Sequence, residues 1–235
     1  MVFKSMIKQP VGRTLAIGDV HGCLDALKTL EKFAGFCETD TIIALGDYID
    51  RGSDSKGVID WMIAAREKYN LITLLGNHEE MMEEARLCAE AYQFWTMNGG
   101  DQTLNSFECS IGAIPESYWE FIKSCKLFHE TENHIFVHAG LEPSLPPEEQ
   151  QSDITCWLRF RDLKPHVSNK TIICGHTPQR GNMPGILPHA VCIDTYAFNH
   201  KGYLTCLDIE SGEYWQANNK RITHKSMINI VQKQS

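Results

Sequence analysis

The 235 residues suffice for one full-sized domain with a sizeable core and are a little short for two. Hydrophobic residues at 43% and charged residues at 22% exclude a disordered chain, which has too little apolar surface to bury. A formal net charge of -8 excludes a general attraction to nucleic acid or anionic membrane, so affinity for an anionic ligand must be built locally, for instance with bound divalent cations.

Residues 14–18 read as a strand, and Leu24, Leu27, Leu30, Phe33 and Ala34 mark one face of a helix over 24–36. Residues 41–45 form a second predicted strand. A helix over 56–67 follows, with Val58, Ile59, Met62 and Ile63 at helical spacing. Residues 71–75 are a third strand and 79–91 a third helix, in which Met81 and Met82 are packing residues. Strand, helix, strand, helix, strand predicts an α/β fold with a parallel sheet and right-handed crossovers. From about 92 to 131 the pattern is helical but irregular and rich in aromatics (Tyr92, Phe94, Trp95, Tyr118, Trp119, Phe121), which reads as a cap-like insertion. The set at Tyr92–Trp95 reads as core.

Strands resume at His134–Val137 and Thr171–Cys174, and residues 140–170 between them read as a long loop with one short helix around Trp157. Residues 190–194, 203–209 and 213–216 lack intervening helices, which predicts an antiparallel meander. Residues 218–235 read as a polar, mobile tail, and 1–235 as a single domain. The nine cysteines include no CxxC pair, which argues against a zinc ribbon, a redox pair or a disulfide scaffold and suits a reducing compartment. Cys174 and Cys192 lie in apolar runs, as small core residues do. The N-terminus lacks a basic-then-apolar leader pattern and no apolar stretch approaches the ~20 residues of a membrane helix, so the expected location is cytoplasmic.

Residues of metal-binding type stand directly after successive predicted strands: Gly18-Asp19-Val20-His21-Gly22, Gly46-Asp47-Tyr48-Ile49-Asp50-Arg51-Gly52, Gly76-Asn77-His78-Glu79, His138-Ala139-Gly140 and Gly175-His176-Thr177-Pro178. The carboxyl ends of strands in an open α/β sheet form one rim, where ligand sites are built. Each piece alone has a plainer reading. Asp19 or Asn77 could cap the helix that follows, Asp50 and Arg51 could be a surface pair, and His138 could be a turn histidine. Structural needs alone rarely produce all five together. His129, His134, His166, His189, His200 and His224 lie outside the motifs and are read as ordinary histidines.

In order and spacing, from about residue 14 to 216, these motifs resemble the calcineurin-like metallophosphoesterases. More narrowly, they resemble the bacterial and phage serine/threonine branch of the phosphoprotein phosphatase family. The resemblance implies an α-β-β-α sandwich of two mixed sheets flanked by helices. It assigns Asp19 and His21 to a first metal, Asp47 to both, and Asn77, His138 and His176 to a second. It further implies a metal-bridging hydroxide that attacks phosphorus, with His78 as general acid held by Asp50. Arg51 would bind the phosphate with Arg159, although Arg161 is near enough to take that role. Mixed nitrogen and oxygen ligands suit Mn, Fe, Zn or Ni, and the family most often works with manganese.

One position departs from the pattern. Phosphoprotein phosphatases usually carry an arginine just before Gly-Asn-His-Glu, and here it is Leu75. Leucine there resembles the related symmetrical diadenosine tetraphosphate hydrolases, whereas Asp50 favours the protein phosphatases. The leading expectation is a phosphomonoesterase acting on phosphoprotein, the second a hydrolase of diadenosine tetraphosphate, with no nucleic-acid or membrane partner. An inactive metal-binding scaffold is the remote third, and it would show a broken ligand or a missing acid.

Overall fold

The computed structural model describes residues 12–229; the last six residues of the expected polar tail lie outside that range. The central strands are apolar on both faces, so each needs cover on two sides. In β1 (Thr14–Ile17), Leu15 and Ile17 point one way and Ala16 the other; in β2 (Thr41–Ala44), Ile42 and Ala44 oppose Ile43. On the first face α1 (Leu24–Ala34) and α2 (Ser55–Lys68) pack Leu27, Leu30, Val58, Ile59 and Met62. With β3 (Asn70–Thr73), these strands form the parallel unit expected from the sequence.

Ala16 and Ile43 meet a second sheet. Its β5 (His134–Val137) and β6 (Thr171–Cys174) send Phe136 and Ile173 inward, and Ile135, Val137, Ile172 and Cys174 to the opposite face. The sheet is completed by β4 (Phe128–Glu130), β7 (Gly185–Leu187) and β8 (Ala190–Cys192), in the order β4-β5-β6-β8-β7. The first sheet gains β9 (Leu204–Asp208), β10 (Glu213–Ala217) and β11 (Thr223–Met227), in the order β11-β10-β9-β1-β2-β3. Two mixed sheets face to face with helices outside are the fold that the motifs implied.

Three expectations are corrected. The strand expected at 190–194 is β8, parallel to β6, so it is no part of a meander; β9, β10 and β11 form that meander, and β11 comes from residues read as tail. The helix expected over 79–91 is two, α3 (Asn77–Glu84) and α4 (Ala89–Trp95), because the chain turns at 85–88. Beyond α4 come a π-helical turn at Thr96–Gly100, α5 (Asp101–Phe107) and α6 (Glu116–Lys123). The short helix near Trp157 is α7 (Ser152–Thr155), just before it.

Where β1 begins, Arg13 grips buried Asp40 through its backbone N–H (3.1 Å), Nε (3.1 Å) and Nη2 (2.6 Å). Burial pushes the Asp40 carboxyl up, but bonds from Arg13 and the Cys37 amide outweigh it and hold the group below its usual range. A carboxyl lowered on folding contributes stability above its unfolded pKa, ~3.9, and loses it as pH falls through the folded value. Asp40→Asn is therefore expected to cost about 1–2 kcal/mol at pH 7, allowing for solvent around Arg13. In urea melts the deficit narrows below about pH 4; a deficit independent of pH refutes the ion-pair account.

Candidate metal centre

The five motifs come together at one end of the sandwich, from strands of both sheets rather than from the rim of one. The turns after β1, β2 and β6 are sharp, and they hold His21 (φ 45°), Asp47 (φ 50°), Asp50 (φ 70°), Arg51 (φ 66°) and His176 (φ 63°) in the left-handed region. Non-glycine residues persist there, at ~1–3 kcal/mol each, only where surrounding contacts over-determine them. Gly46 (φ 103°) shows how close the turns approach: a Cβ there would stand 2.7 Å from Gly76 N and 3.0 Å from His138 Nδ1.

Ring orientation is set from outside the cluster. His21 Nδ1 donates to the Ile49 carbonyl (2.9 Å) and His138 Nδ1 to the Leu45 carbonyl (2.8 Å). A carbonyl can only accept, so in each neutral ring Nε2 carries the lone pair. His21 Nε2 then faces Asp47 Oδ2 at 3.4 Å, and His138 Nε2 faces Asp47 Oδ1 at 3.4 Å and Asn77 Oδ1 at 3.0 Å. His176 Nδ1 is also 3.0 Å from Asn77 Oδ1. Imidazole nitrogens that face carboxylate and amide oxygens describe two cradles, His21–Asp47–His78 and Asp47–His138–His176, with Asp47 common to both, and Arg51 Nη1 donates to His21 Nε2 at 2.9 Å. The buried Nε2 atoms of His78 and His176 have no hydrogen-bond partner.

Electrostatics agree. Burial lowers the pKa of His138, takes His21 well below its usual range and, with the charge of His138, takes His176 to about 3. Burial thus favours the neutral ring, the form that ligates a metal, while the Asp47 anion pulls the other way. Burial would raise Asp47, but the field of the four histidines holds it well below the usual carboxylate range. Burial first, then the charges of Asp194 and Asp47, push Asp19 well above it. Buried carboxylates that repel each other beside unpaired imidazole nitrogens are the donor set that a pair of divalent cations relieves.

The plainer readings do not survive. Gly76, not Asn77, is the N-cap of α3, so the Asn77 amide is free to face the histidines. Asp19 caps nothing; its two oxygens accept the His176 N–H at 3.1 and 3.0 Å. Asp50 is wholly buried and pairs with His78 Nδ1 at 2.6 Å rather than with Arg51. Burial raises its carboxyl, and the bonds from His78, Thr103 and Trp95 restrain the rise.

A cavity of about 340 Å³ opens onto the cradles, lined by Asp47, Asn77, His176, Arg51 and Arg159. Arg161 is exposed beside Asp162 and lines only the adjoining groove. A groove of about 440 Å³ beside α1, bordered by Asp25, Lys28 and Arg221, is larger but holds no imidazole. Leu75 packs against the core beside α3.

Sequence reasoning missed three contributors. Glu79, read only as the end of a motif, accepts the backbone N–H groups of Asp47 (2.9 Å), Tyr48 (2.8 Å), Ile49 (3.3 Å) and Gly76 (3.1 Å), tying the second motif to the third. Burial and the charge of Asp47 push its carboxyl up to about 8 against the pull of those amides. Asp194, after β8, is buried, and burial pushes it up to about 7. Phe198 lies under Arg51, its ring 4.7 Å from the guanidinium carbon, and forms part of the cavity wall with Tyr196. The glutamate signal was present within Gly-Asn-His-Glu; for Asp194 and Phe198 the sequence carried none.

Residues 12–205 match the calcineurin-like phosphoesterase family. The chain is 38% identical over 184 residues to serine/threonine-protein phosphatase 1 of Salmonella typhimurium (strain LT2), an alignment covering 71% of this chain and 79% of that one. It is 30% identical over 138 residues to the symmetrical bis(5'-nucleosyl)-tetraphosphatase of Nitrosospira multiformis, covering 58% of this chain and 46% of that protein. Among solved structures, a cold-active protein-tyrosine phosphatase from a psychrophilic Shewanella shares the fold with a TM-score of 0.65 at 16% identity, over 92% of this chain and 80% of that one. Among the described residues no helix is long and apolar enough to cross a membrane. The chain belongs to the calcineurin-like phosphoesterases, hydrolases of phosphoester bonds that use a dinuclear divalent metal centre.

Proposed function

We propose that this phosphoesterase is a serine/threonine-type protein phosphatase, a phosphomonoesterase with His78 as its general acid. The observation that carries the reading is the 2.6 Å contact between His78 Nδ1 and Asp50, which leaves Nε2 turned toward Asp47 at 4.0 Å. An alkoxide from phosphoserine or phosphothreonine is a strong base and needs a proton as it leaves. A nucleoside diphosphate is a weak base and departs without one. A buried carboxylate that holds the ring and fixes which nitrogen faces the departing oxygen is therefore worth most on an alkyl ester. The relative in Salmonella, named a serine/threonine-protein phosphatase, supports the same class.

In this reading Asp19, His21 and Asp47 hold the first cation, and Asp47, Asn77, His138 and His176 the second. Manganese is the proposed ion, and the mixed donor set also accommodates iron, zinc or nickel. Such cations, when bound, supply Lewis-acid charge to the phosphate oxygens and activate water for in-line attack. Arg51 and Arg159, which both line the cavity, orient the phosphate by forked hydrogen bonds. His78 keeps its Nδ1 proton on Asp50 and delivers the other from Nε2 to the departing oxygen.

Leu75 supports a second reading, a symmetrical dinucleoside tetraphosphatase, because it removes the phosphate clamp usual in protein phosphatases and resembles the leucine of the tetraphosphatases, one of which is a relative at 30% identity. A panel on Mn²⁺-loaded enzyme separates the two. Phosphoserine and phosphothreonine peptides are expected to release phosphate at least tenfold faster than diadenosine tetraphosphate releases ADP, about 1.4 kcal/mol of discrimination. Release of ADP without phosphate from peptide contradicts the proposal.

A further inference from the structure

Asp50 is held by more than His78. Its Oδ1 accepts Thr103 Oγ1–H at 2.6 Å, and the Trp95 indole N–H lies 2.9 Å from Oδ2 and 3.2 Å from Oδ1. Thr103 has one hydroxyl proton, which goes to the carboxylate, so Ser55 is the donor in the 2.9 Å Ser55–Thr103 bond. The Asp50 backbone N–H in turn donates to Ser55 Oγ (3.0 Å) and Thr103 Oγ1 (2.9 Å). Asp50, Trp95, Ser55 and Thr103 are all wholly buried, so the network is closed to water. Arg51, the next residue, donates its N–H to the Gly99 carbonyl at 3.2 Å, and a Cβ on Gly99 (φ 110°) would stand 2.8 Å from Arg51. Residues 95–103 thus grip two consecutive left-handed residues.

We infer that Trp95 and Thr103 are positioning residues that hold the Asp50 carboxylate so that His78 Nε2 stays aimed into the cavity. The inference rests on His78 being the general acid. A purely packing Trp95 would need only some acceptor for its N–H. Here the helical segment sends both an indole and a hydroxyl to the one carboxylate that orients His78. Loss of either donor frees Asp50 to rotate, and His78 loses its aim without loss of metal ligands.

The test compares Mn²⁺-loaded Trp95→Phe, Thr103→Val, Thr103→Ser and His78→Asn with the parent on phenyl phosphate and 4-nitrophenyl phosphate, with bound metal measured by elemental analysis. The nitrophenolate leaves readily without a proton, whereas phenolate needs one more. Trp95→Phe and Thr103→Val are expected to lower kcat on phenyl phosphate about tenfold, as loss of an orienting partner does. The loss on the nitrophenyl ester is at least threefold smaller, KM and metal content hold, and Thr103→Ser restores the parent value. Equal losses on both esters, or none, overturn the inference while a selective loss in His78→Asn leaves the general-acid reading intact. If His78→Asn itself is unselective, that reading falls and the inference with it. Should Trp95→Phe not fold, the Thr103 pair decides alone.

Discussion

Asp47→Asn is expected to lower kcat/KM by about 10³-fold or more and to leave fewer than two metal ions per chain. The aspartate is the one side chain common to both cradles, with Oδ2 facing His21 and Oδ1 facing His138, each at 3.4 Å. An asparagine keeps the shape but removes the charge that offsets repulsion between two cations ~3.5–4 Å apart, and it turns one acceptor into a donor. Lewis-acid stabilisation worth several kcal/mol is lost, at 1.36 kcal/mol for each tenfold in rate. Titration calorimetry with Mn²⁺ and steady-state kinetics check both halves. Full metal occupancy with near-parental turnover contradicts the shared-ligand role.

His78→Asn is expected to cut kcat by about 10²–10⁴-fold on alkyl phosphate while metal content and KM change little. The ring is wholly buried, its Nδ1 is on Asp50 and its Nε2 is unpaired. His78 also stands with His21 and Asp47 as a geometric candidate for a ligand, and an oriented metal-binding histidine can likewise donate its second nitrogen to a carboxylate. Elemental analysis divides the roles. Two ions retained with turnover lost is the general-acid result; loss of one ion makes His78 a ligand, and unchanged turnover removes it from the chemistry.

The motifs were legible because each sits directly after a strand, where short-range signals are strong: an apolar run, then glycine, then a run of ligand-type residues. Their gathering at strand ends was expected, but the strand pattern did not show that two sheets supply them, since that depends on β5 and β6 packing face to face against β1 and β2, with Phe136 and Ile173 against Ala16 and Ile43. Short strands also escaped notice. β4 and β7 have three residues each, and β11 is Thr-His-Lys-Ser-Met, polar and exposed throughout, with no apolar alternation to read. The break between α3 and α4 carries neither glycine nor proline. Of the set read as core, Trp95 is buried but Phe94 is exposed, and the bond of Trp95 to Asp50 spans 45 positions and that of Thr103 spans 53, a reach that no local pattern encodes.

The pairing of cations on Asp47 is most directly tested by anomalous diffraction from crystals soaked in Mn²⁺. Two peaks ~3.5–4 Å apart, one beside His21 and one beside His138 and His176, with Asp47 reaching both, are the predicted result. A single peak, or none among these residues at saturating Mn²⁺, would contradict it.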